Sequence, residues 1–343
     1  MKNTISSIIT ILIVSAFVVS CSSKDDELLS TPPKVFEENV VIANRNAGSI
    51  SFIDANTNKV LKTLSIPGAA PMYVVYVPKK DKLYVGDVFG NKVHVIDPKT
   101  KEVENSINVG VGVFHMYADG LGKQLWVVND VDKTISVIDL NSNKVVQTIN
   151  VGFIPHDVFL NSDASKAYVS ILDFNPSMPD RVFMYSTSTY AKIGEANVGK
   201  DPHLYALPST DKLYVPCQIS NQFYTLNAND LSLISNNPLV GAHGIFPSPD
   251  QSTLFITNYT GNQLYSINTA SSVMNGIAVN TLSTIPHNIV VNEAGNKMFV
   301  THSGSSSNTV STYTIIGNII SPETTITTST NPFGLAYYKR EVM

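Results

Sequence analysis

From residue 41 onward, short apolar runs alternate with clusters of Asn, Asp, Gly and Ser, and one phrase of that alternation returns around the whole chain. It reads Val41-Ile-Ala-Asn44, then Tyr84-Val-Gly-Asp87, Trp126-Val-Val-Asn129, Tyr168-Val-Ser-Ile171, Tyr214-Val-Pro-Cys217, Phe255-Ile-Thr-Asn258 and Phe299-Val-Thr-His302. Successive starts lie 43, 42, 42, 46, 41 and 44 residues apart. Runs of four to eight β-branched and aromatic residues bounded by turn residues read as strands. A period in the low forties with several strands per unit is the sequence signature of a propeller.

A second strand follows the phrase, as in Lys92-Val-His-Val-Ile-Asp97 and Thr134-Ile-Ser-Val-Ile-Asp139, and a short turn such as Leu140-Asn-Ser-Asn143 leads into a third, Lys144–Val151. The fourth begins after Gly152-Phe-Ile-Pro155 with His156-Asp-Val-Phe-Leu160, so each unit is one four-stranded blade. The chain enters at the second strand of a blade and leaves on a first strand, Phe333-Gly-Leu-Ala-Tyr-Tyr338. That C-terminal strand can complete the N-terminal blade and remove an open edge. The expected fold is all-β, a seven-bladed β-propeller occupying residues 39–343 and closed by its own C-terminus.

The stretch Ser136 to Gly152 resembles the repeat of YVTN or YncE-type propellers, and the likeness runs through residues 41–338. What it implies is the fold; propellers host unrelated activities, so function has to be argued from the site.

The N-terminus has its own pattern. Lys2 precedes an apolar run from Ile5 to Val19, shorter than the ~20 residues of a spanning helix, and Ser20-Cys21 follows. This is the form of an export signal over residues 1–20. Val18-Val-Ser-Cys21 resembles the lipobox of bacterial lipoproteins, which implies acylation of Cys21 and contact with the membrane through that anchor alone. Ser22-Ser-Lys-Asp-Asp-Glu27 resembles the acidic tag of Bacteroidetes-type lipoproteins, implying an outer-membrane lipoprotein that faces the extracellular side. Residues 21–38, with Thr31-Pro-Pro33, read as a flexible tether.

Composition narrows the partners. Charged residues are 15% of the chain, and without Lys2 the mature balance is 22 Lys+Arg against 27 Asp+Glu, a net −5. Nucleic acid, gripped through clustered cations, is excluded as a partner. With Cys21 acylated, Cys217 has no second thiol, which excludes an internal disulfide and thiolate-pair zinc sites. A monomer is expected.

Candidate chemistry collects on one face. Of seven histidines, His115, His156, His203, His243 and His287 each stand at the start of a first strand, and Met72 and Phe333 are expected in the same slot of the two remaining blades. Innermost strands line the channel, and the loops after the second strands open on the same face. Those loops add Asn44, Arg45, Asp87, Phe89, Asp130, Asp173, Phe174, Tyr259 and His302. The expected picture is an open funnel of imidazoles ringed by acids, amides and aromatics, a concave place with convergent polar groups. The longest upper loop, Leu172 to Asp180 in blade 4, would form its lip.

Several functions remain open. Surface address and a polar-aromatic funnel resemble the propeller lipoproteins that capture cobalamin or ferric siderophores for a TonB-dependent outer-membrane receptor. That resemblance implies a small-molecule or metal-bearing ligand and no enzymatic activity. Two or three neighbouring imidazoles could hold a transition metal directly. A streptogramin-lyase or lactonase-like metal enzyme, and a protein-docking propeller, are the alternatives. No residue stands apart as a catalytic acid or base.

Overall fold

The computed structural model describes residues 34–342, and the export signal, Cys21 and most of the tether lie outside them. Seven antiparallel sheets follow one another along the chain, with no helix among the described residues. Blades 2, 3, 4, 5 and 7 are each four consecutive strands. In blade 6 the outer strand is broken into Val273–Met274 and Val279–Asn280. Blade 1 is composite: Pro332–Val342 supplies its innermost strand and pairs with Val35–Asn44, from Val35↔Val342 to Asn44↔Pro332. The strand starts at Val35, so residues 35–38, read from sequence as the end of the tether, already belong to the ring.

Each second strand is covered on both faces, and in six of the seven blades the residue opening its repeated phrase is a large buried ring. Tyr84, Trp126, Tyr168, Tyr214, Phe255 and Phe299 are all buried to within 1%. The polar tips of the tyrosines among them find partners, as buried Tyr requires. Tyr168 Oη donates to Ala228 O at 2.6 Å and Tyr214 Oη to Thr269 O at 2.8 Å, each crossing to the next blade. The turns after the third strands repeat too. Asp54, Asp139 and Asn268 accept from backbone amides two and three residues on. Four residues past the first turn residue, Asn58, Asn143 and Ser272 take positive φ. Side-chain capture of amides is why Asn, Asp and Ser dominate these turns.

One irregularity positions the channel residues. In six blades the register slips where the first strand begins, so that two of its residues face one on the second strand. The pairs include His156–Asp157 against Ser170, His243–Gly244 against Thr257 and His287–Asn288 against Thr301. In blade 5 the ladder is interrupted at His203–Leu204 instead. A bulge leaves an amide without its ladder partner, and here the opposing hydroxyl takes it. Ser170 Oγ accepts from Asp157 N at 2.8 Å, Thr257 Oγ1 from Gly244 N at 2.8 Å, and Thr301 Oγ1 from Asn288 N at 3.1 Å.

Adjacent first strands come very close at two bulges. A Cβ on Gly244 would lie 2.1 Å from His287 O, and one on Gly334 would lie 2.3 Å from Met72 O and 2.7 Å from Tyr73 Cα. Backbone cannot swing aside like a side chain. Gly334→Ala is therefore expected to cost about 3 kcal/mol in equilibrium denaturation. Gly120→Ala, with open space around it, should cost less than about 0.5 kcal/mol. Equal effects would refute the close approach.

Candidate functional site: a histidine rosette in the channel

The bulges define two tiers of channel residues, and their register corrects the sequence alignment. The upper tier is Met72, Phe114, His156, His203, His243, His287 and Phe333. His115 sits one residue further along, in the lower tier with Tyr73, Asp157, Leu204, Gly244, Asn288 and Gly334. Val113 occupies the position that Pro fills in five of the other blades, and the blade-3 histidine follows it by two residues where the other four follow by one. Four histidines, in blades 4 to 7, share the slot.

These four do not line an open funnel. Ring centroids of His156 and His203 are 5.0 Å apart, His203 and His243 3.8 Å, and His243 and His287 4.5 Å. Phe114 stacks on His156 at 4.4 Å and Phe333 packs on His287 at 4.1 Å, with 6.2 Å between the two phenyl rings. The result is a closed rosette of six rings. Tyr259 lies over it, 5.3 Å from His243 and roughly parallel, and the Arg45 guanidinium lies 5.6 Å from the Phe333 ring.

Asp157 organises the blade-4 side. Its Oδ2 lies 3.2 Å from His203 Nδ1 and accepts from Leu204 N at 3.2 Å. Burial alone would neutralise both groups, but the opposed charges win: His203 is raised above the ordinary imidazole value, and the imidazoles around Asp157 hold its carboxyl below the usual carboxylate range. The neighbours follow burial instead. His156 is pushed down to about 4 and His287 to about 3, and burial likewise lowers His115 and His243. The rosette thus sets one imidazole drawn toward its charged form by Asp157 among rings that burial holds toward the neutral form.

The donor set is incomplete. Asp157 Oδ1, His203 Nε2 and His243 Nδ1 are sealed from solvent without a hydrogen-bond partner, a rare condition for buried polar atoms. Asp201 Oδ1 lies 3.7 Å from His156 Nε2 and 3.9 Å from His203 Nε2, too long for hydrogen bonds. One ligand atom each from His156, Asp157 and His203 fall within 4.8 Å of one another. Two imidazoles and a carboxylate so placed suit zinc, copper, nickel or non-haem iron.

Beside this cluster, a depression of about 490 Å³ opens on the upper face between blades 4 and 5, lined in part by Asp173, Phe174, Lys200, Asp201 and Ile219. The blade-4 lip is tied inward: Lys200 Nζ donates to the carbonyls of Asp173 and Asn175 and to Asp180 Oδ1 at 2.9 Å. Phe174 is left 79% exposed on its rim, and Phe89 is 72% exposed on the loop of blade 2.

The structure places other sequence candidates elsewhere. Asn44 Nδ2 donates to Ser51 Oγ at 2.9 Å, and Asp87 accepts from Ala70 N at 2.8 Å and faces His94. His302, wholly buried and pushed by burial to about 4, bonds Thr284 O and Ser311 Oγ. These three end buried strands and pin hairpins; they do not enter the rosette. Asp130 is held up by burial, with one oxygen unpartnered. Met72 does hold the upper-tier slot of blade 2, buried in one apolar cluster with Tyr73 and Phe333. Asp157, Asp201, Phe114 and Tyr73 were missed, although the dipeptide His156-Asp157 put one carboxylate beside a candidate in plain sight.

Comparison with known proteins adds a partial match. Residues 36–164 match the family described as Cytochrome D1 heme domain. An 87-residue stretch, 24% of the chain, is 33% identical to Protein NirF of Pseudomonas aeruginosa, and the chain spans only 22% of that relative's length. Among solved structures, the periplasmic gluconolactonase of Pseudomonas aeruginosa superposes with a TM-score of 0.71 at 15% identity, over 88% of this chain and 99% of that one. Hydrazine synthase of Kuenenia stuttgartiensis gives a TM-score of 0.66 at 14% identity, over 81% of this chain and 96% of that one. At such identities the likeness is one of fold. The chain is a seven-bladed propeller that matches the cytochrome D1 heme domain over residues 36–164 and is similar in fold to a gluconolactonase.

Proposed function

We propose that this protein binds a first-row transition metal ion through His156, Asp157 and His203 and presents it, beside the blade-4 depression, to a small captured ligand. The observation that carries this reading is the pair of sealed, unpartnered atoms Asp157 Oδ1 and His203 Nε2 next to the His156 ring. An ion would satisfy them; nothing in the surrounding protein does. The family description names a haem, and residues 36–164 include His115, His156 and Asp157. A bare ion suits the sealed atoms better, because a macrocycle would have to part stacked rings to reach them.

In this reading the N-terminal signature carries the protein to the cell surface on lipidated Cys21, outside the described residues, and a TonB-dependent receptor takes the ligand from the exposed depression. The support is the sequence pattern before residue 28.

Metal counting and calorimetry with Zn(II), Co(II) and Cu(II) test the site. One ion per chain is expected, with affinity about 100-fold or more weaker in His156→Ala/His203→Ala. A hemin complex that is lost in the same variant would replace the ion with a haem. Uptake of neither would end the metal reading.

A further inference from the structure

Below the rosette the channel widens again toward the opposite face, where it forms a second cavity of about 310 Å³. Its walls are aromatic. Tyr117 lies against Phe159 at 3.9 Å between centroids, Phe159 against Tyr205 at 4.8 Å, and Tyr205 against Phe246 at 6.3 Å, with Tyr73, Tyr76 and Tyr337 and several aliphatic side chains also in the lining. None of the lining residues is Asp, Glu, Lys or Arg, in a chain whose other face gathers acids and cations.

Besides Asn288 and the tyrosine hydroxyls, the lining includes one imidazole, His115. Val158 N donates to His115 Nδ1 at 3.2 Å. An imidazole nitrogen that accepts carries no proton, so the neutral ring bears its hydrogen on Nε2. Burial keeps the ring neutral. Nε2 has no protein acceptor, and it is not among the buried atoms shut off from solvent. His115 therefore brings a free N–H donor to an uncharged aromatic cavity.

We propose that this lower cavity is a binding site for an uncharged aromatic compound of one or two fused rings that carries a hydrogen-bond acceptor for His115 Nε2. The volume lies at the small end of small-molecule sites, which run from ~300 to 1,000 Å³. A charged ligand would lose its hydration with no counter-charge to replace it. A cation could use the aromatic faces, but it would also meet the positive end of the His115 N–H bond. A sugar would stack on the rings, but it would bury its several hydroxyls against a wall that is mostly aromatic and aliphatic carbon. This site stands apart from the metal reading and survives its failure.

The test is calorimetry of the whole protein with quinoline, N-methylquinolinium, quinoline-6-carboxylate and methyl β-glucoside at pH 7.5. Quinoline is expected to bind saturably with a dissociation constant below about 1 mM, and the two charged analogues at least ~10-fold more weakly. His115→Phe should weaken quinoline at least ~5-fold, and His115→Gln, which keeps an N–H donor at similar reach, should restore most of it. The proposal is overturned if quinoline does not bind at millimolar concentration, if a charged analogue or the glucoside binds as well, or if His115→Phe binds like the wild type. Should His115→Phe fail to fold, the selectivity series on the wild-type protein decides alone.

Discussion

A chain ending at Asn331 is expected not to fold. The missing segment, Pro332–Val342, is the innermost strand of blade 1, and no other strand can cover the inner edge of Val35–Asn44. Phe333, Leu335 and Tyr338 are each buried to 8% exposure or less. At roughly 1.5–3 kcal/mol per buried side chain they contribute on the order of 6 kcal/mol, about as much as an ordinary domain has in total. Polar links are lost with them: Asn39 Nδ2 to Tyr338 Oη at 3.1 Å, and the Arg340 fork, which donates to Glu37 at 2.9 Å and to both oxygens of Asp81 at 2.8–3.2 Å. The freed edge would also invite pairing between chains. Circular dichroism and light scattering should show an unfolded or aggregated product. The milder Arg340→Ala should fold with about 2 kcal/mol less stability. A truncated chain that melts cooperatively near the wild-type temperature would mean that closure does not hold the ring.

Acid should unfold the protein well above the range where carboxylates titrate. His156, His287 and His302 sit at about 4, about 3 and about 4, whereas an unfolded chain titrates histidine near 6.5. Between pH 6.5 and about 4 the unfolded chain takes up protons at these positions and the folded chain does not. Stability therefore falls with falling pH, by about 1.4 kcal/mol per pH unit for each ring. Three rings over two pH units give on the order of 8 kcal/mol. His243 and His115 act in the same direction. His203 has the opposite sign: its raised value contributes stability that is fully present below pH 6.5 and fades as pH rises through the folded value. Its pairing therefore does not protect against the fall. Denaturant titrations from pH 7.5 to 4.5 should show uptake of about three protons or more on unfolding at the acid end. His287→Phe should remove about one, since Phe114 and Phe333 already carry phenyl rings in that slot. A flat profile would mean that the rosette opens to water.

Much of this architecture was legible because a propeller writes its period into the chain. Tyr84, Trp126 and Tyr168 begin equivalent strands, and the register of Val41 against the C-terminal run gave the closure. The channel was harder to read. Whether two successive residues both face inward depends on a bulge, and a bulge has no fixed residue code when its amide is taken by a hydroxyl from another strand, as Ser170 takes that of Asp157. His115 was misplaced by one residue for that reason. Rosette closure depends on ring radius and side-chain rotamers, which periodicity does not carry. Asn44, Asp87 and His302 looked like site residues because a polar group ending a buried strand can turn to the channel or pin a hairpin; their partners, Ser51, His94 and Ser311, settle the matter in three dimensions.

The composite blade also sets which way the molecule is presented. Val35 pairs with Val342 at the end of the strand opposite Asn44, which meets Pro332 at the histidine face. The first strand of the ring therefore starts on the side of the aromatic cavity, at the face opposite the rosette. The rosette and the blade-4 depression open at the other end of that strand, beside Asn44 and Pro332. Ligands arriving at the two faces would therefore meet opposite chemistries at the two ends of one channel, charged and polar at one mouth and aromatic at the other.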